Sequence, residues 1–332
     1  MRVRSDGLQR YSSARSLGAT GRIFLDANER QTGETCATYG RRQNPELVRV
    51  LSKNYGVSED SLIYDRGLDE IISLIFRACC DSGSSVRTFT PTYGMYAVEA
   101  SIQGLELDPL PLTGEGFLDL ESLKRNPGSP SLVILCRPNN PLGTLDPLDA
   151  VIELLELYKD KCPVFVDEAY AEFTLLCGDL TSLINTYDLI IGRTLSKAYG
   201  LAGLRLGCAL SRPQWIERLA TVQKPYPVSK MVEDYLVPQF EVKLKPEAES
   251  WIKDVRKTRS SWKKIFSQVL KTAPFDSETN FITFRSNKSH ACYEFLRERG
   301  IVVRVFTDNI LRITIGTDSQ LREIESLDWK NL

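Results

Sequence analysis

Imidazole is nearly missing from this chain, whose 332 residues include a single histidine, His290. A Ser-His-Asp or Cys-His catalytic site would have to run through that residue. A site of several histidines on a metal is excluded, and no metal is expected. Net charge is also lacking, with 42 Lys+Arg against 43 Asp+Glu. There is then no general attraction to nucleic acid or to an anionic membrane. No apolar run approaches the roughly 18 residues of a membrane span. The eight cysteines, at 36, 79, 80, 136, 162, 177, 208 and 292, form no C-x-x-C pair and no regular framework. Several lie inside apolar runs such as LVILC and RACC, and they read as reduced thiols of a cytoplasmic protein. Neither G-x-G-x-x-G nor G-x-x-x-x-G-K-[ST] occurs, so a nicotinamide enzyme and a P-loop NTPase are poorly supported.

What is present is an ordinary globular composition, 42% hydrophobic and 26% charged, in a chain long enough for about two domains. The first 22 residues carry five arginines, four serines and one acid. That mimics an organelle transit peptide but lacks its amphipathic pattern, so a structured arm is expected instead. Through the middle, short apolar runs at 131–136 (SLVILC), 163–166 (PVFV) and 188–192 (DLIIG) alternate with helical stretches such as 149–159 and DEIISLIFRACC from Asp69. This order predicts an α/β fold with a mostly parallel sheet. Beyond about residue 240 the pattern changes. A long helix from Pro246 has Trp251, Val255, Trp262, Phe266 and Val269 on one stripe. Lys253, Arg256, Lys257, Arg259, Lys263 and Lys264 sit on the other, read as a solvated face. NFITFR, a helix closed by Gly300, IVVRVF and LRITIG complete a small α+β unit. The expected division is an N-terminal arm at 1–30, a large domain at 31–239 and a small domain at 240–332.

Three of the apolar runs lead straight into polar clusters: LVILC into RPNNPLG, VFV into DEAY, LIIG into RTLSK. In open α/β sheets ligands bind beyond the carboxyl ends of the strands, so the three clusters should converge on one site. Pyridoxal phosphate needs a lysine for its Schiff base and an acid against its pyridinium nitrogen. Lys197, flanked by the hydroxyls of Thr194 and Ser196, fits the first need. Asp167, at the end of an apolar strand and therefore in want of a cationic partner, fits the second. Arg205 follows in GLAGLRLG, where small residues allow close backbone approach. Taken singly, each has a bland reading as a surface charge, a helix cap or a core aromatic; the ordered set carries the inference.

LDANE, RGLDEII, PTYGMY, RPNNPLGT, DEAYAEF, RTLSKAYGLAGLRLG and LRITIGT occur in that order. Together they resemble the histidinol-phosphate aminotransferases, a branch of the fold type I pyridoxal-phosphate enzymes, from about residue 8 to 317. The resemblance implies a transaminase acting between histidinol phosphate and 2-oxoglutarate, with pyridoxal 5′-phosphate as cofactor. It implies Lys197, Asp167 and Tyr170 as catalytic residues, Lys197 moving the proton and Asp167 pairing with the pyridinium nitrogen. Tyr170 and Asn140 would bond the ring oxygen, and Tyr93 would stack on the ring. The phosphate would lie among Thr194, Ser196, Arg205 and the Gly67–Leu68–Asp69 backbone, where a helix opens and favours an anion. Tyr39 would reach a neighbouring subunit's phosphate, implying a homodimer. Arg312, Arg304 and Tyr11 would face the substrate, whose anionic groups suit a guanidinium fork.

The departures from that pattern bear on the amino substrate rather than on the cofactor. Gly40 follows Tyr39 where proline is common, LDANERQTG lacks a proline after the Asn28–Glu29 pair, and Leu142 stands where threonine is usual. The connection between Arg304 and Arg312 is short. Within the same fold an aromatic aminotransferase, or a lyase like the threonine-phosphate decarboxylases, is the alternative.

Overall fold

The computed structural model describes Leu8 and residues 26–32 and 34–329; Tyr11 and most of the expected arm lie outside them. In chain order the elements are α1 (Pro45–Tyr55), β1 (Leu62–Asp65), α2 (Leu68–Cys79), β2 (Ser85–Thr90), α3 (Met95–Ile102), β3 (Glu106–Pro111), α4 (Leu120–Arg125) and β4 (Leu132–Cys136). Then follow α5 (Leu148–Tyr158), β5 (Val164–Asp167), β6 (Leu189–Thr194), β7 (Gly207–Leu210), α6 (Pro213–Val222), α7 (Lys230–Gln239) and α8 (Lys245–Leu270). The chain closes with β8 (Phe281–Arg285), α9 (Ser289–Arg297), β9 (Arg304–Phe306), β10 (Ile310–Thr314) and α10 (Asp318–Glu325).

A seven-stranded sheet runs β1-β7-β6-β5-β4-β2-β3. The pairs from β6 through β3 are all parallel, and β7 alone is antiparallel to both its neighbours. The expected mostly parallel sheet is therefore present. Its central strands read as continuous apolar runs because both faces are covered. Leu132, Ile134, Phe165 and Ile190 enter the core on one side. Val133, Leu135, Val164, Val166, Leu189 and Ile191 enter the core on the other. A separate antiparallel sheet, β8-β10-β9, packs with α8, α9 and α10.

Local signals account for several boundaries. Asn44 caps α1 through its side chain, Pro45 occupies the first turn, and Gly56 ends the helix at φ 68°. After α9, Gly300 at φ 75° donates to Arg297 O while Ile301 N–H reaches Leu296 O, the two bonds of a Schellman closure. On α8, Val255, Trp262 and Phe266 are buried as the stripe predicted. Its basic face needs correction. Arg259 is buried and donates to Phe173 O at 3.0 Å, and Arg256 donates to the carbonyls of Glu172, Phe173 and Thr174. Two of the six cations thus tie α8 to the turn that follows β5 instead of facing water. No described helix is long and apolar enough to cross a membrane.

Candidate active site

Parallel pairing brings β4, β5 and β6 to a common edge, where Cys136 lies opposite Asp167 and Asp167 opposite Gly192. The polar clusters that follow these strands line one cavity of about 590 Å³. Asn140 comes from the first cluster, Asp167 and Tyr170 from the second, Thr194, Ser196 and Lys197 from the third. Leu68, Asp69, Tyr93 and Arg205 complete that wall, and Arg304 and Arg312 enter from the small sheet.

Asp167 is fully buried, and its hydrogen-bond donors are neutral: Tyr96 Oη at 2.7 Å and Ala169 N–H at 3.0 Å. Burial pushes its carboxyl up to about 6. Tyr96 stands in the same PTYGMY run as Tyr93. The two rings meet edge-on at 5.7 Å, and Tyr93 Oη donates to Asp69 Oδ1 at 3.0 Å. The signal was the three-residue spacing at the start of α3, which turns both tyrosines toward the strand ends.

Lys197 sits three residues beyond the end of β6, its Nζ 5.7 Å from the centroid of the Tyr170 ring. Burial lowers its pKa, and Arg312 and Arg205 lower it further against the opposing pull of Asp69 and Asp167. The amine is thereby biased toward its neutral, basic form. Tyr170 packs edge-on against Phe281 at 5.2 Å and accepts a long hydrogen bond, 3.4 Å, from Asn140 Nδ2. Burial raises its phenol well above the ordinary value. Asn140 Oδ1 accepts from Arg312 Nη1, so a chain from Arg312 through Asn140 to Tyr170 joins the small sheet to the large one.

The opposite end of the cavity has an anion-receptive shape. Gly67 precedes the first turn of α2 at φ 83°, and a side chain there would strike Arg205 Nη2 at 2.6 Å. Arg205, itself at φ 51°, pairs with Asp69 at 3.0 Å. Thr194 Oγ1 accepts Ser196 N–H at 3.1 Å, which fixes the turn between strand and lysine. Gly207 lies against the Gly67–Leu68 backbone, where a Cβ would come within 2.6 Å of Gly67 C.

A second ionic cluster lies behind the same strand ends. Glu168 pairs with Arg137 at 3.3 Å and with Arg193 at 2.6 Å, and Arg193 also meets Glu172 at 3.4 Å. Arg137 and Glu168 are wholly inaccessible. Arg137 further donates to Asp146 O at 2.8 Å and Cys177 O at 2.6 Å.

Comparison with known proteins agrees with this geometry. Residues 14–325 match the family model for aminotransferase class I and II. Histidinol-phosphate aminotransferase 1 of Pasteurella multocida (strain Pm70) is 35% identical over 331 residues, 95% of this chain and 93% of that protein. The chain belongs to the histidinol-phosphate aminotransferase family. Solved members share its fold. The histidinol-phosphate aminotransferase of Clostridium acetobutylicum superposes with a TM-score of 0.81 at 20% identity, over 90% of this chain and 92% of that one. The enzyme from Sinorhizobium meliloti, solved in complex with pyridoxal-5′-phosphate, gives 0.78 at 23% identity, over 87% of this chain and 81% of that one.

Within this aminotransferase the cavity gathers twelve of the residues expected at the site, and Gly67 adjoins it through Arg205. Tyr39 is not among the cavity-lining residues of its own chain. It is half exposed and stacks on Tyr226 at 4.3 Å with the rings 13° from parallel. Tyr11 lies outside the described residues. The cavity also takes in Met95, Val98 and Phe306, which sequence reasoning passed over. Apolar residues in a strand or helix carry no local sign that they face a site.

Proposed function

We propose that this aminotransferase interconverts histidinol phosphate and 2-oxoglutarate with imidazole acetol phosphate and glutamate, using pyridoxal 5′-phosphate. The observation that carries the reading is the meeting, in one cavity, of a lysine with depressed pKa, a buried carboxylate that forms no salt bridge among the described residues, and two arginines that form none there either. The residues fit the cofactor. A buried carboxylate that, among the described residues, is held by neutral donors suits a pyridinium N–H, since a cationic partner would return it to its ordinary acidity. The start of α2 with Arg205, Thr194 and Ser196 suits a phosphate. Tyr93 would lie against the ring, and Asn140 and Tyr170 would bond its oxygen.

When bound, the cofactor supplies an electron-withdrawing ring that acidifies the substrate Cα–H and carries the amino group. Lys197 holds the cofactor and, once released by the amino substrate, takes the Cα proton. Its neutral form is favoured by burial and by Arg312. Asp167 keeps the ring nitrogen protonated, and Tyr96 fixes the carboxylate that does so. Arg312 binds the glutamate carboxylate in one half-reaction and shares the histidinol phosphate group with Arg304 in the other.

The same reading extends to assembly and compartment. A homodimer is favoured by Tyr39, which stands exposed and away from its own cavity, where a partner's phosphate could meet it. Seven buried free cysteines and one exposed one suit the cytoplasm. The arm, large and small units at 1–30, 31–239 and 240–332 are kept as the division of labour, cofactor in the large unit and substrate arginines in the small one.

The test is direct. The loaded protein is expected to be yellow, and borohydride to fix the cofactor onto Lys197, located by peptide mass. In single turnover histidinol phosphate is expected to discharge the yellow form faster than phenylalanine or tyrosine. The reverse order would assign the chain to the aromatic aminotransferases, and a protein that never takes up the cofactor would overturn the whole reading.

A further inference from the structure

The short connection between β9 and β10 has a structural consequence. Asp308 and Asn309 adopt left-handed φ of 60° and 56°, and Ile310 N–H donates back to Thr307 O at 3.3 Å. Asp and Asn tolerate that conformation, so the hairpin turns over the three residues 307–309. The tight turn sets the register, with Phe306 opposite Ile310 and Arg304 opposite Arg312. Alternation then puts Arg304, Phe306 and Arg312 on one face, and all three line the active-site cavity.

The two guanidiniums are held unequally. Arg312 lies 5.2 Å from the Phe281 ring, 5.2 Å from the Phe306 ring, and donates to Asn140. Arg304 is exposed, with its guanidinium carbon 5.4 Å from the Phe306 ring. Among the described residues no carboxylate lies within ion-pair distance of it. Like charges directly opposite on neighbouring strands repel, and a π face shared by both offsets part of that cost. An anion bound between them would supply the rest.

We propose that Phe306 is a positioning residue that sets substrate choice. By keeping Arg304 alongside Arg312 it makes the site suit a phosphate monoester, which gathers two charges on one group, over a carboxylate group, which carries one. Without Phe306, Arg312 keeps the Phe281 ring and Asn140 and still serves a carboxylate, whereas Phe306 is the one described ring against the Arg304 guanidinium. This deepens the proposed function and rests on it.

The test uses the holoenzyme with Phe306→Leu, which keeps apolar bulk and loses the π face. The KM for histidinol phosphate is expected to rise about fivefold, the upper end for one exposed cation–π contact, with kcat and the KM for 2-oxoglutarate within about twofold. Phe306→Tyr is expected to restore the KM for histidinol phosphate. Inorganic phosphate is expected to raise the melting temperature of the wild-type holoenzyme, and Phe306→Leu to lose most of that rise. Equal changes in the two KM values, or undiminished phosphate protection, would overturn the inference. Should Phe306→Leu not fold, Phe306→Met takes its place in a double-mutant cycle with Arg304→Ala. There it should add little to the loss from Arg304→Ala, and full additivity would count against a role through Arg304. Failure of the parent reading is seen separately, in wild-type protein that prefers phenylalanine as donor. Phosphate protection is read without any turnover.

Discussion

The ends of β4, β5 and β6 carry two sets of ionised groups that differ in one respect. Behind the strands, Arg137, Glu168, Arg193 and Glu172 meet one another at 2.6–3.4 Å. In front, Lys197, Asp167, Arg304 and Arg312 share a cavity and none forms a salt bridge with another described residue. Adjacent residues of one strand end, Asp167 and Glu168, belong to opposite sets. The lesson is that buried charge alone does not mark a site. A set whose charges are mutually satisfied braces the fold, and a set left with unmatched charges awaits a ligand.

Four measurements can break or sharpen that contrast. Lys197→Ala should abolish turnover by about 10⁴-fold or more. It should leave the melting temperature of the unloaded protein unchanged or slightly higher, because an unmatched cation has gone. Glu168→Gln should do the opposite, leaving the buried Arg137 guanidinium without its anion and Arg193 with Glu172 alone, and costing about 3–5 kcal/mol in urea unfolding. A loss under about 1 kcal/mol would show that the rear set is not a brace.

The third measurement is a pH dependence. Asp167 holds its proton more tightly folded, at about 6, than its ordinary 3.8. The unloaded protein is therefore favoured below about pH 4, and that contribution is lost as pH rises through 6, about 3 kcal/mol in all. Asp146 also titrates near 6, so the readable quantity is wild type minus Asp167→Asn, which should fall across that window. A flat difference would show that Asp167 already has a counter-charge. The smallest effect is expected at Asp69, whose pair with Arg205 is half exposed on both sides. Asp69→Asn should change stability by no more than about 0.5 kcal/mol in the unloaded protein.

The central strands were readable because burial on both faces writes an uninterrupted apolar run, and the residues at their ends were readable because chemistry narrows what an Asp and a Lys there can do. β7 was not legible. Its Gly207 and Cys208 continue a glycine-rich stretch that looks like loop until β1 and β6 pair on either side. The basic face of α8 misled because periodicity shows which residues share a face but not what covers it. The carbonyls of 172–174 that take Arg256 and Arg259 come from more than 80 residues away. Tyr96 and Phe306 escaped for the same reason: one acts through a hydrogen bond to Asp167, 71 residues away at the end of β5, the other through cross-strand register.

The contact of Gly207 with the Gly67–Leu68 turn carries a consequence for how the molecule comes into being. The anion cradle is closed by two segments about 140 residues apart, with β1 registered against β7 from Leu62↔Leu210 to Asp65↔Gly207. Such pairings form late, since a long loop must be closed before they return any stabilisation. A nascent or partly refolded chain would thus own every cofactor residue and still have no cradle. Capture of the cofactor then rewards only completed molecules, drawing the population by mass action toward the finished fold.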